Sequence, residues 1–245
     1  MKYTLAAALA APSICFAAHP LATDDTGTQG SSGMQFELSV DASRHDDAGM
    51  RFRNRAAAAT LTYGVTDTLD VAVGLPHQRA AATGTPAEKG WGDAGIAMKW
   101  RFMEAGGFSL GLKPQVTFAT GDEQRGLGNG KRGFGLHLLG AFDAGRYELL
   151  ANIGFTNNKN TIGATEKLWN ASAAILWKLA PQVKGVFDVG AYRNPDPAGN
   201  RHPAFAIAGL IYSPSETLDL DVGIRKGLNK AEANYTGGAG ITIRW

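Results

Sequence analysis

From residue 34 onward, apolar and polar side chains alternate with a period of two. "MQFELSVD" sets Met34, Phe36, Leu38 and Val40 on one face and Gln35, Glu37, Ser39 and Asp41 on the other. "DAGIAMKWRF" sets Ala94, Ile96, Met98, Trp100 and Phe102 against Asp93, Gly95, Ala97, Lys99 and Arg101. "FSLGLKPQVTF", "TLDLDVGIR" and "YTGGAGITIRW" repeat the pattern. This period predicts strands with one apolar and one wet face. About 12 such segments begin near Met34, Ala56, Leu69, Asp93, Phe108, Gly133, Tyr147, Trp169, Val183, Ala204, Leu218 and Tyr235. Each runs roughly 9 to 12 residues, the length a tilted strand needs to cross a bilayer. The alternation is weakest near Ala204, where "FAIAGLIY" is apolar on both faces.

The connections alternate in length. "VTDT", "MEAG", "DAGR", "APQ" and "SPSE" are tight. "SRHDDAGMR", "PHQRAAATGTPAEKG", "TGDEQRGLGNGK", "TNNKNTIGATEK", "RNPDPAGNRH" and "KGLNKAEAN" are long and polar. Short turns at one end and long loops at the other predict an all-β fold: an antiparallel transmembrane β-barrel with short periplasmic turns and longer extracellular loops. A related phrase occurs twice, as "LTYGVTDTLDVAVGL" from Leu61 and "LIYSPSETLDLDVGI" from Leu210. Each copy reads as a descending strand ending on Tyr63 or Tyr212, a short turn, and an ascending strand restarting at Leu69 or Leu218. Asp70 and Asp219 then point into the lumen.

A soluble sandwich also alternates, but its strands have no reason to end in a ring of aromatics. Here Tyr63, Trp100, Phe102, Trp177, Tyr212 and Trp245 fall at the short-turn ends, as an interfacial girdle would. The second face carries charges and glycines, which suits a polar interior. Trp245 closes the last alternating strand and resembles the terminal aromatic read by the barrel insertion machinery; we assign it as the assembly signal.

The N-terminus, "MKYTLAAALAAPSICFAAHP", has a basic start, an apolar run and small residues flanking a cleavage site. It predicts a signal peptide over residues 1–17, cleaved after Ala17 or Ala18. Cys15, the single cysteine, would leave with it. A lipoprotein reading of Cys15 competes, against a bulky Ile14 where lipidation wants a small residue. Residues 18–33 are expected to be a flexible periplasmic N-terminal segment. Its alternatives are threading into the lumen as a short plug, or holding a cation through Asp24 and Asp25. Residues 34–245 are the barrel.

Composition removes other classes. A net charge of +2, without a basic cluster interleaved with aromatics, excludes nucleic acid as a partner. The expected partners are outer-membrane lipid, a small-molecule solute and the insertion machinery. No cofactor is expected. No metal is expected either, since "TGDEQRGLGNGK" has oxygen ligands but lacks the spacing of a calcium loop.

The register assigns the lumen-lining candidates as Glu37, Asp70, Asp93, Glu148, Asp188, Asp219 and Asp221 on the acidic side. Lys99, Arg101, Lys113, Lys178, Arg225 and Arg244 are the basic ones, and His137 joins them. These charges suit either a conduit that orients solutes or a salt-bridged network that fills a narrow barrel. An enzyme is not expected: Ser172 and His137 fall on nonadjacent strands, no Gly-x-Ser-x-Gly elbow occurs, and His45, Asp46 and Asp47 read as a solvated loop tip.

Three motifs extend this reading. "AHPLATDDTGTQG" (Ala18 to Gly30), "GWGDAGIAMKWRF" (Gly90 to Phe102) and "LKPQVTFATGDEQRGLGNGK" (Leu112 to Lys131) resemble, in order, the Gram-negative outer-membrane family named for the MetA pathway of phenol degradation. The family often has Pro before "TGD", where this chain has Ala119. The resemblance implies a transporter-type, porin-like barrel in the bacterial outer membrane, often considered alongside channels for hydrophobic or aromatic compounds. The expected function is therefore passive transport of small, aromatic or hydrophobic molecules. The alternative is a closed structural or adhesive barrel acting through its extracellular loops.

Overall fold

A computed structural model describes residues 19–47 and 49–245; the expected signal peptide and its cleavage site lie outside the described residues. The strands are β1 (Met34–Asp47), β2 (Met50–Thr66), β3 (Leu69–Ala82), β4 (Glu88–Trp91), β5 (Gly95–Ala105), β6 (Phe108–Thr117) and β7 (Gly133–Asp143). They continue with β8 (Tyr147–Asn157), β9 (Lys167–Ala180), β10 (Val183–Tyr192), β11 (Ala204–Ser215), β12 (Leu218–Gly227) and β13 (Tyr235–Arg244). Every pairing is antiparallel, and β1 meets both β2 and β13, so the sheet closes on itself. Twelve strands form the barrel, and short β4 is an extra strand on the long-loop half of β3. Below it, β3 pairs with β5.

Closure satisfies the edges that hydrocarbon would leave bare. β1 and β13 run in register from Gln35↔Arg244 to Arg44↔Tyr235. Met34 and Trp245 then exchange backbone hydrogen bonds of 2.9 and 3.1 Å. The expected partnership of first and last strand is present, with Trp245 on the outside at 61% exposure.

Period-two alternation sorts the side chains between two environments. Ile153 faces outward at 67% exposure, whereas Leu139, on the neighbouring strand but of inward phase, is fully buried. Leu38, Val73, Leu136, Val222 and Ile224 extend the exposed apolar band around the wall. Such a band is unsustainable in water and suits lipid.

Both copies of the repeated phrase form the predicted hairpins, β2–β3 and β11–β12. Each contains a register shift just before its turn, at Gly64/Thr66 and at Tyr212/Ser215.

Three elements differ from the sequence expectation. "SRHDDAGMR" is largely strand, because β1 and β2 continue their ladder to Asp47↔Met50. Two-thirds of "PHQRAAATGTPAEKG" is strand as well, shared between β3 and β4. The third difference is residues 19–29. Rather than forming a periplasmic lead-in, they lie inside the barrel, as the plug alternative has it.

Candidate functional site

The first 11 described residues run through the lumen, bonded to inward-facing groups on many strands. At the short-turn end, Gly64 ties the chain to β2: its N–H donates to the Gly33 carbonyl and its carbonyl accepts from the Ser32 N–H, each at 2.8 Å. The Ser31 N–H donates to Asp67 (3.0 Å), and the Gln29 N–H reaches both Asp70 carboxylate oxygens (3.2 and 3.0 Å). The Thr26 and Ser109 hydroxyls share a hydrogen bond of 2.5 Å.

Asp24 is the electrostatic centre of the segment. Its carboxylate accepts from Lys99 on β5 at 2.9 Å and also binds Lys113 on β6. Asp25 adds a second contact to Lys99 at 3.2 Å. Asp24 and Lys113 side chains are each 5% exposed and that of Lys99 is 17% exposed, so a residue from outside the wall supplies a countercharge to both lysines. With its amide turned to suit both atoms, Asn152 brackets the Asp24 backbone, donating to its carbonyl (3.0 Å) and accepting from its N–H (2.6 Å).

Further along, fully buried Asp188 accepts three hydrogen bonds of 2.8 Å, from the Ala22 N–H, the Thr23 N–H and the Thr23 hydroxyl. Leu21 packs into an apolar cluster with Ala141, Leu150, Ala174, Leu176 and Val186, and Ile211 lies against it. Ile211, of inward phase on β11, is thus an apolar inner residue of "FAIAGLIY" that packs against protein.

His19 pairs with Asp221 and lies 3.5 Å from Asp41. His19 and Pro20 rest where the wall has no side chains. Gly209, Gly223 and Gly238 face one another across β11, β12 and β13. A Cβ on Gly223 would stand 2.5 Å from Pro20, and one on Gly238 would stand 2.6 Å from His19. The inner wall is hollowed to the shape of this segment.

A cavity of about 350 Å³ remains beside it, lined by Glu37, Asp70, Lys99, Lys113 and Arg244 among others. Arg244 forms a salt bridge with Asp219 (2.8 Å) and donates to Gln35 (2.9 Å), and the Ser213 hydroxyl donates to Asp219 (2.5 Å). These bonds brace the short-turn mouth. Arg101 lies at the same end, bonded to the Asp67 carbonyl (3.1 Å) and to Glu104 (3.1 Å). Glu148 is half-buried on the inner face, and Lys178 is exposed at the mouth.

Other candidates occupy the long-loop half. Arg225 pairs with Glu232 (2.7 Å) and lies 3.7 Å over the Phe205 ring. His137 crosses Gly154, whose missing side chain leaves room, to reach Asn170 at 3.2 Å. Its partner is Asn170 rather than Ser172. Asp93 precedes β5 and sits off the conduit wall. It accepts from the Gly121 N–H (2.9 Å) and the Asn129 N–H (2.8 Å), fastening the loop after β6. That loop folds inward. Leu127 is 1% exposed, its carbonyl accepts from Gln78 (3.3 Å), and a Cβ on Gly90 would meet its side chain at 2.8 Å. Asp122 caps the loop's single 3-10 turn (Glu123–Arg125), which accounts for its carboxylate without a cation.

The sequence pattern of the family described as "Putative MetA-pathway of phenol degradation" matches residues 20–245. The chain belongs to this family. No curated protein is significantly similar to it in sequence. Among solved structures, the COG4313 outer membrane channel from Pseudomonas putida F1 superposes with a TM-score of 0.75 at 14% identity, covering 90% of this chain and 98% of that one. The NanC porin gives 0.57 at 6% identity over 86% and 98% of the two chains. The translocator domain of autotransporter NalP from Neisseria meningitidis gives 0.53 at 13% over 88% and 89%. These likenesses establish the fold: a closed 12-stranded barrel of the outer-membrane type, integral to that membrane.

Within this member of the family, the wall candidates Asp70, Lys99, Lys113, Asp188 and Asp221 converge on one object, the N-terminal segment. Sequence reasoning missed that convergence, along with Thr23, Ser109 and Asn152. One signal was available. Gly209, Gly223 and Gly238 all have inward phase on consecutive strands, and a row of missing side chains implies something seated against it.

Proposed function

We propose that the protein is a passive outer-membrane channel for small molecules, aromatic or hydrophobic ones among them, whose lumen is occupied at rest by its own N-terminal segment. One observation carries this reading. The passage is filled by a separable stretch of chain, held through polar bonds against a wall hollowed by glycines, rather than by interlocked wall side chains. Withdrawal of residues 19–29 leaves a void lined by Asp70, Lys99, Lys113, Asp188 and Asp221. The solute class rests on the family description, and the channel role draws further support from the porins and channels that share the fold. The same neighbours, together with the His137–Asn170 pairing, favour transport over catalysis.

Liposome swelling over a panel of phenols and sugars tests the proposal, using the full chain and a variant lacking residues 21–28. The expected result is slow entry of small aromatics through the full chain and faster entry through the shortened one. If no solute enters through either, the barrel is closed and acts through its loops instead.

A further inference from the structure

The outer wall carries a cationic patch that the channel function leaves unused. Arg53, Arg55 and Arg79 have outward phase and are exposed, since their strand neighbours Thr60, Thr62 and Gln78 are buried on the inner face. The register places like charges directly opposite one another: Arg44↔Arg53, Arg55↔Arg79 and Arg79↔Lys89. Such pairs repel unless an anion lies between them. Asp46 answers Arg44 at 2.6 Å and Arg51 at 3.0 Å. Among the described residues, no carboxylate pairs with Arg53, Arg55 or Arg79.

The level of the patch matters. Arg55 lies eight residues along β2 from Tyr63, and Arg79 lies eight along β3 from Val71, the residue paired with Tyr63. With about 3.3 Å per residue and a tilt of about 40°, that is about 20 Å above the short-turn aromatics, near the far edge of the apolar band. Strands across the barrel place Phe134, Phe155 and Trp169 eight residues from Phe142, Tyr147 and Trp177. Aromatics fill that level there, whereas arginines fill it on β2 and β3.

Immediately below the arginines the wall is indented. Ala42, Ala57, Gly237 and Ala239, flanked by Val40 and His77, form a shallow outer groove of about 560 Å³. His77 is held edge-on to Trp91 at 5.0 Å. A small-residue groove beneath unpaired guanidiniums matches a molecule with an apolar tail and an anionic head.

We propose that this face binds a phosphate-bearing acyl lipid of the outer leaflet, its chain in the groove and its phosphate bridging Arg55 and Arg79. Guanidinium forks take phosphate oxygens in pairs. Three unpaired arginines with Lys89 beside them exceed the single negative charge of a phosphodiester, so the head group is a phosphomonoester, which carries about −1.5 to −2 at neutral pH. With the short turns toward the periplasm, as barrels of this class orient, the patch lies in the outer leaflet.

Native mass spectrometry of the full-length protein in detergent tests the site. The probes are bis-phosphorylated lipid A, its dephosphorylated form, phosphatidylethanolamine and inorganic phosphate. The unmodified protein should retain the phosphorylated lipid about tenfold or more over the other lipids. Arg55→Gln/Arg79→Gln should lose about tenfold or more of that retention, as should Ala57→Phe, which fills the groove and leaves every charge in place. Lys167→Gln/Arg193→Gln on the far wall should change nothing. Heat-modifiable migration confirms that each variant is a barrel, and Arg55→Lys/Arg79→Lys serves if the glutamine pair does not assemble. Equal retention of dephosphorylated lipid, retention unaffected by the arginine and groove variants, or displacement by inorganic phosphate at equal concentration would each overturn the proposal.

Discussion

Asp24→Asn separates a lumen filled by a bonded segment from one filled by permanent packing. The substitution keeps the side chain's size and one acceptor oxygen but removes the charge that Lys99, at 2.9 Å, and Lys113 share. Breaking a buried ion pair by neutralising one member costs about 3 to 5 kcal/mol, because the remaining charge has lost its compensation. Lys99 keeps Asp25 at 3.2 Å, and the asparagine oxygen still accepts, so the lower end, about 3 kcal/mol, is the appropriate figure. The wall pairings are untouched, so the cost falls on the seated state of the segment rather than on the barrel. At about 1.36 kcal/mol per factor of ten, the unseated population should rise on the order of 100-fold. A cysteine at Ala22 reports that population, because Ala22 is drawn against Asp188 by a 2.8 Å hydrogen bond and reacts fully only when the segment opens. Maleimide labelling of Ala22→Cys, with Cys15 replaced by Ser, should accelerate by about that factor when Asp24→Asn is added. Unchanged labelling in a variant that still migrates as a folded barrel would refute the reasoning, since Asp24 would then contribute nothing to holding the segment.

Gly223→Val should displace His19 and Pro20, because even its Cβ would stand 2.5 Å from Pro20; planar-bilayer conductance should rise while heat-modifiable migration persists, and unaltered conductance would show that the glycine seat does not hold the segment. Deleting Trp245 removes its paired backbone bonds with Met34 as well as its ring. Barrel abundance in outer-membrane fractions should fall further than one lost side chain, on the order of 2 to 3 kcal/mol, would suggest; Trp245→Phe should be nearly silent and Trp245→Asp severe. Normal abundance of the deletion variant would remove the assembly-signal reading. Single cysteines at Gln124, Lys159, Pro197 and Lys230 should label in intact cells with an impermeant reagent, whereas labelling at Asp67 or Glu216 would invert the orientation.

The sequence alone determined the wall of this protein. Period-two alternation requires no partner to be recognised: once one face is apolar and the other polar along strand after strand, register and facing follow, as the in-register β1–β13 closure bears out. Asp70, Lys99, Lys113, Asp188 and Asp221 could be assigned to the inner face on the same basis. What those charges meet was a tertiary decision. "LATDDTGTQG" has no periodicity, and a polar segment of that composition is compatible with solvent. Its place in the lumen depends on groups far away in sequence: Lys99 and Lys113 for Asp24, Asp188 for Thr23, and the glycine row on β11 to β13 for Pro20. Asp93 shows the same limit in reverse, since its phase matched the lumen but its carboxylate found the Gly121 and Asn129 N–H groups of a loop that only the folded chain brings near. Alternation is a local property fixed by backbone geometry, whereas the filling of a closed lumen is set by whichever segment best neutralises the charges that the wall has already buried.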